Sequence, residues 1–280
     1  MRSFIDRIKR MPTFWIGFVL LVIIIVFAVL GQMVVDPDSI RLDGSRMNQA
    51  PCAEHPLGTQ SEGKDMLSLL MIGAGVTLKI GLVAGALGVF VGTFLGLIAG
   101  YFGGKTDTVI STIVDTGMTI PPLAIMILIA ASISRLSVTG MGVIVAITAW
   151  MQPTRVVRSQ MLSMKERNYV QMAKISNIRP LGIIFQEIMP NLIPFLACTF
   201  VNAVSTAILS SIGLEVLGLG SQQSNSLGQT IYFSISYSAM WRGMWWWWLP
   251  PIVVIVLIFI SLFLISLGLD ELGNPKLKRL

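Results

Sequence analysis

Three ionisable side chains, Lys79, Asp115 and Glu215, lie inside long apolar runs of the sequence. Charged groups are costly within a bilayer and usually have a function there, such as ion coupling, lining a pathway or pairing with another helix. The only histidine, His55, lies in a polar segment, and one histidine makes a poor metal site. The chemistry to be considered is therefore ion coupling or pathway lining, and we expect no metal site.

Motifs of the common catalytic sites do not occur in this sequence. It contains no G-x-x-x-x-G-K-[ST], no H-E-x-x-H and no G-x-S-x-G. An intramembrane enzyme would need a nucleophile with its base, or a metal cluster. We therefore expect the chain itself to be no enzyme and to carry no cofactor.

Composition places the chain among membrane proteins. Of its 280 residues, 54% are hydrophobic and 12% charged, and the mean hydropathy is +0.77. A soluble domain carries roughly 25% charged residues. The fold class that we expect is all-α integral membrane, with six transmembrane helices. The runs long enough to cross a bilayer lie near 14–35, 74–100, 108–131, 138–160, 192–217 and 248–269.

The distribution of basic residues predicts the orientation. With both termini inside, fourteen of the 20 Lys and Arg residues lie in cytoplasmic segments, as the positive-inside rule requires. The basic balance therefore needs no nucleic-acid partner. The sequence predicts a cytoplasmic tail over 1–13, a retained first helix over 14–35 and an extracytoplasmic loop over 36–66. It also predicts a transmembrane core over 67–270 and a cytoplasmic tail over 271–280.

Two features predict how the helices pack and bend. A stripe of small residues recurs every four positions in the second span, which permits close approach of a helix from this chain or from another subunit. The stripe consists of Gly88, Gly92, Gly96 and Gly100. Pro121 and Pro122 interrupt the third span and should kink or break it, because proline removes a donor and clashes with the preceding turn. Such kinks often flank pathways.

The stretch 168–194 is too polar to cross a bilayer and too apolar for a plain loop. Its spacing predicts a short helix ended by Asn177, which tolerates left-handed backbone. A second helix should start at Pro180, and its expected apolar face is Leu181, Ile184, Phe185 and Ile188. The stretch either docks in a groove of a partner or lies on the lipid surface.

Several segments of this chain resemble permeases of ABC importers. Residues 171–190 keep the spacing of their "EAA" loop, although only Ala173 and Pro190 keep its residue types. The segment "HPLGTQSEGKDMLSLLMIGA" (55–74) is similar to the corresponding segment of the dipeptide/oligopeptide/nickel class. The same holds for "GLIAGYFGGKTDT" (96–108), "ERNYV" (166–170), "IMPNLIP" (188–194) and "LGLG" (217–220). The resemblance covers roughly residues 50–275 and is to the second permease of such importers.

This resemblance implies a type I importer permease fold with cytoplasmic coupling helices in the loop 165–190. It implies four kinds of partner: a homologous permease, two ATPase subunits that hold ATP and Mg, an extracytoplasmic substrate-binding protein, and lipid. The location implied is the plasma membrane of a prokaryote. The residues expected to contact the ATPase are Tyr169, Val170, Gln171, Met172, Ala173, Asn177, Leu181 and Phe185.

The ionisable residues within the spans leave alternatives open. For Asp115 we favour capping or an interchain salt bridge over substrate contact. Glu215 lies four residues from the acid of related permeases, about one helical turn, and either lines the path or pairs with a partner helix. An ion-coupled secondary transporter would use Lys79, Asp115 and Glu215. It would also predict inverted repeats, which the sequence does not show.

The substrate is open between short oligopeptides and oligosaccharides. The run "MWRGMWWWWLPP" (240–251) is typical of the bilayer interface, where tryptophan is enriched. One or two of its rings, with Trp245 and Trp246 as candidates, could instead face the mouth of the pathway and stack on sugars.

Overall fold

The computed structural model describes residues 11–273 except 134 and 222–223, and no side chain beyond 271. Most of both predicted tails, 1–10 and 274–280, therefore lies outside the described residues. The helices of the described part are α1 Pro12–Val34, α2 Met66–Phe102, α3 Gly104–Thr119, α4 Pro122–Ala131, α5 Val138–Ala149, α6 Met151–Met164, α7 Asn168–Ile175, α8 Pro180–Leu219, α9 Leu227–Ser236 and α10 Trp245–Gly273. The all-helical class is confirmed for these residues.

Four of these helices are long and apolar enough to cross a membrane, namely α1, α2, α8 and α10. The pair α3 and α4, bent by 78°, counts as a fifth if it is one span. The predicted run 138–160 is divided into α5 and α6 at Trp150, which itself keeps helical backbone angles. Pro153 explains this division, because it has no N–H to donate to the carbonyl of Ala149.

Local sequence explains where the helices begin and end. Pro12 starts α1, where its missing N–H costs nothing. Asp65 caps α2 by accepting a hydrogen bond from the Ser68 amide at 2.9 Å. Gly103, with φ +64°, ends that helix, because a positive φ is open to glycine. Helix α2 thus begins eight residues before the predicted run 74–100.

Helix α2 is the centre of the bundle and contacts α1, α5, α6 and α8. One apolar core joins α1, α2, α8 and α10, and contains Ile24, Ala74 and Ile208. A second core joins α2, α4, α5 and α8. A third lies at one end, where α2 and α6 meet the polar stretch that follows α6.

The predicted second short helix is not separate from the fifth span. Helix α8 runs from Pro180 through a wider π turn, Ile183–Ile188, into Met189–Leu214. Pro190 and Pro194 lack amide donors, yet the chain remains helical past both. Wider turns of this kind are frequent at functional positions within helices.

Candidate functional site

Residues 165–190, which we call the knob, form α7, a turn and the first part of α8 at one end of the bundle. Its first helix, α7, ends at Ile175, and Asn177 follows two residues later with a φ of +57°. The amides of Asn177 and Ile178 donate to the carbonyls of Lys174 and Ala173 at 3.1 and 3.3 Å. These two hydrogen bonds are those of a Schellman motif, which fixes the turn between α7 and α8.

One side of the knob is packed firmly onto the bundle. Its buried residues are Val170, Ala173, Ile183, Ile184 and Ile188, which meet Leu97, Val157, Met161 and Leu192. Tyr169 packs against the same cluster, and the Gln171 side-chain amide donates to the carbonyl of Lys165 at 3.2 Å. The knob therefore contacts α2 and α6 through buried side chains.

The other side of the knob is apolar and open. Met172, Ile175, Leu181 and Phe185 are exposed by 64, 80, 63 and 56%, respectively. The expected apolar face of the second helix was thus wrong in part, because Ile184 and Ile188 point into the bundle. A cluster of apolar side chains this exposed is typical of a contact surface for a protein or for lipid.

A cavity of about 380 Å³ lies between the helices α3 to α6 and α8. Thr199, Asn202, Thr206 and Ser210 form its polar stripe on α8, and Thr148 and Gln152 face the cavity from the other wall. Met118 and Pro122 also line it, and its lining contains no ionisable side chain. The cavity therefore offers hydrogen bonds without charge.

The pathway candidates of the third span are only partly at this cavity. The helix breaks at Pro121 and Pro122, as expected, and Pro122 reaches the cavity. Asp115 does not line it. Its carboxylate is 3.8 Å from the Arg155 guanidinium of the same chain, and both side chains are more than half exposed.

Glu215 lies at the far end of α8 and is 2% exposed. Gly220 and Gly228 pack directly against its side chain, and Ser226 donates a hydrogen bond to it. Glu215 does not line the cavity, while Lys79 lies on an exposed position of α2. Lys79, Asp115 and Glu215 are therefore not gathered at one place.

The tryptophans divide into three environments. Trp245 is half exposed, whereas Trp247 is fully buried. The indole N–H of Trp246 donates to the carbonyl of Thr59 at 3.2 Å, which ties α10 to the loop between α1 and α2. No tryptophan lines the cavity.

The loop between α1 and α2 is held by polar contacts. The Nδ1 atom of His55 lies 3.0 Å from the Asp65 carboxylate, the residue that caps α2. Hydrogen bonds from the Ser45 side chain and amide, and then from Arg46, lower the pKa of Asp43 to about 2. His55 thus has a structural partner, and the described residues contain no metal-binding cluster.

The glycine stripe of α2 faces α5 and α6 of the same chain. A Cβ atom on Gly88 would lie 2.8 Å from the carbonyl oxygen of Ala149, and one on Gly92 would lie 2.6 Å from the Pro153 Cβ. Gly96 and Gly100 meet Thr154 and Met161 at similar distances. These backbones approach too closely for any side chain at the four positions.

Sequence reasoning missed two groups of residues. Ile175, on the open side of the knob, and Ile178, in the turn between α7 and α8, are both exposed. The polar stripe of the cavity was also missed, although its spacing of three, four and four residues along α8 is a readable helical pattern.

These features define a polytopic helical membrane protein with an uncharged cavity and an exposed apolar contact surface. Comparison with known proteins identifies its family. Residues 92–279 match the model of the "Binding-protein-dependent transport system inner membrane component", and residues 1–51 match the N-terminal transmembrane domain of oligopeptide transport permease C. The chain belongs to the first of these families, as its sequence motifs indicate, and is a multi-pass inner-membrane protein.

Curated relatives agree with this assignment. The dipeptide transport system permease protein DppC of Bacillus subtilis is 27% identical over 98% of this chain and 85% of its own length. The oligopeptide transport system permease protein OppC of Escherichia coli K12 is 31% identical over 73% of this chain and 68% of its own.

Proposed function

We propose that this chain is one of two permease subunits of an ATP-driven, binding-protein-dependent importer of short oligopeptides. The knob carries the proposal, because it combines a firmly anchored side with an open apolar side. ATP and Mg would be bound by two ATPase subunits, one of which receives the knob. A substrate-binding protein would dock at the opposite face.

The proposed mechanism converts closure of the ATPase dimer into movement of helices. The open side of the knob, Met172, Ile175, Leu181 and Phe185, would sit in a groove of the ATPase. Its buried side would pass the movement to α2 and α6, since those contacts are tightly packed. Access to the cavity would then alternate between the two sides of the membrane.

Six spans are part of this proposal. The helical backbone of Trp150 supports treating α5 and α6 as one span. The bent pair α3 and α4 is counted as another span. The basic residues of the knob and of α6 then lie on the cytoplasmic side with both termini, in the plasma membrane of a prokaryote.

Peptides are the substrate class that the observations support. The names of the relatives refer to dipeptides and oligopeptides, and the uncharged lining of the cavity is compatible with a peptide backbone. The oligosaccharide alternative depended on tryptophans facing the path and on the displaced acid Glu215, and neither a tryptophan nor Glu215 lines the cavity. An ion-coupled mechanism would need Lys79, Asp115 and Glu215 close to one another. It loses support because the three residues are not gathered at one place in the bundle and none of them lines the cavity.

ATPase activity of the reconstituted complex tests the proposal. The complex, with its binding protein, should hydrolyse ATP faster when short peptides are added. Stimulation by oligosaccharides alone would overturn the peptide assignment, and uptake without ATP would overturn the transport class.

A further inference from the structure

Helix α3 is weakly attached to the rest of the chain. Val114 is its only buried residue, while Val109 and Ile113 are more than half exposed. Its main contacts are with α6 and with the end of α2 that precedes it. Apolar packing therefore contributes little to the attachment of α3 to the bundle.

A charged contact supplies a specific attachment. The Arg158 guanidinium of α6 donates from Nε and Nη2 to the two carboxylate oxygens of Asp107 on α3, and the Nη2–Oδ2 distance is 2.6 Å. The Ser111 hydroxyl also donates to this carboxylate, at 3.2 Å. The Asp107 and Arg158 side chains are only 19 and 30% exposed. Two-point contacts of this type are the strongest and most directional ion pairs.

Arg158 lies on α6 next to the residues that pack against the buried side of the knob. The preceding residue, Val157, is fully buried in the same cluster as Val170 and Ile183, and so is Met161, one turn later. One side of α6 therefore packs on the knob while Arg158 holds α3. A displacement of the knob that moves α6 reaches α3 through this ion pair.

The other end of α3 reaches the cavity. Met118 lies in its last turn and lines the cavity, and Pro122 lines it just beyond the 78° break. Because the break lacks the hydrogen bonds of a continuous helix, it is a position at which α3 can turn relative to α4.

We propose that the Asp107–Arg158 ion pair transmits movement of the knob to the broken helix α3–α4 and so to the wall of the cavity. This inference rests on the proposed function. Both residues are positioning residues, since neither contacts the cavity or the open side of the knob.

The test measures peptide taken up per ATP hydrolysed, in proteoliposomes that hold the whole complex and its binding protein. Asp107→Asn and Arg158→Gln should leave the complex assembled but lower this ratio by about fivefold to a hundredfold, the range of ordinary coupling between sites. Exchanging the two charges, Asp107→Arg with Arg158→Asp, should restore much of the ratio. An unchanged ratio in both single variants would overturn the inference, and so would a reversed pair no better than they are.

Two further variants make the result independent of the reversed pair. Arg158→Lys keeps the charge but loses the two-point geometry, so its ratio should fall between those of the unmodified complex and Arg158→Gln. Equal ratios for Lys and Gln would contradict a role for the ion pair. Arg155→Gln is the matched control, because Arg155 and Asp115 form a second contact between α6 and α3 that is longer, at 3.8 Å, and more than half exposed. Its ratio should stay unchanged.

Failure of this inference is distinguishable from failure of the proposed function. If the unmodified complex shows no ATP-dependent uptake, the proposed function fails. If a variant on the open side of the knob uncouples uptake while Asp107→Asn and Arg158→Gln do not, only the transmission through α3 is refuted.

Discussion

If the knob docks on an ATPase subunit as proposed, removing the ring of Phe185 should weaken that attachment without unfolding the permease. The side chain is 56% exposed, so the described chain leaves more than half of its surface for a partner. Full burial of such a side chain is worth about 1.5–3 kcal/mol, and the exposed 56% therefore corresponds to about 0.8–1.7 kcal/mol. Phe185→Ala should accordingly lower the affinity of the permease for its ATPase by about 4- to 17-fold.

The assay is titration of the purified ATPase against the permease pair in lipid nanodiscs, together with uptake per ATP. Phe263→Ala is the matched control, because Phe263 is 62% exposed on α10, away from the knob. It should leave the affinity unchanged. Ile184→Ala, at 3% exposure, should instead destabilise the fold by about 2–5 kcal/mol. If Phe185→Ala behaves like Phe263→Ala, the knob is not the docking surface.

Three other perturbations test separate parts of the structure. Gly92→Ala should lower the thermal unfolding temperature of the permease, because its Cβ would lie 2.6 Å from the Cβ of Pro153 and overpacking costs about 1–3 kcal/mol. Gly75→Ala is the control, since its Cβ would meet the flexible side chain of Gln32 at 3.3 Å. An equal fall in unfolding temperature in both variants would contradict the overpacking at Gly92. Trp246→Phe removes the indole donor that ties α10 to the loop between α1 and α2, so hydrogen exchange in that loop should speed up, and unchanged exchange would refute the tether. The pKa of Asp43 is lowered to about 2, so the contacts that its carboxylate makes persist above that pH and are lost as pH falls through it. Protection of the Ser45 amide should follow this titration, and loss near pH 4 would contradict it.

The third, fourth and fifth spans show which parts of the fold could be predicted from the sequence. Apolar runs and the proline pair 121–122 were sufficient to place the broken helix α3–α4. The sequence did not predict that the fourth span is divided into α5 and α6 at Trp150, or that α8 remains helical past Pro190. Both depend on which backbone donors are missing and how the neighbouring turns adapt, and apolar periodicity carries no such information.

The sequence predicted the position of the knob in the chain, but not which of its apolar residues are buried and which are exposed. Spacing placed Leu181, Ile184, Phe185 and Ile188 on one face, yet the bundle covers Ile184 and Ile188 and leaves the other two open. A helical pattern gives the width of an apolar stripe, whereas the packing of α2 and α6 decides which part of it is buried. The Asp107–Arg158 pair, 51 residues apart, depends in the same way on tertiary placement.

ATP-driven import through the knob is tested most directly by peptide uptake by the reconstituted complex with ATP supplied only on the side of the knob. Uptake should require ATP and the binding protein, and it should fall in Phe185→Ala in parallel with the affinity for the ATPase. Uptake driven by an ion gradient in the absence of ATP would contradict ATP-driven import.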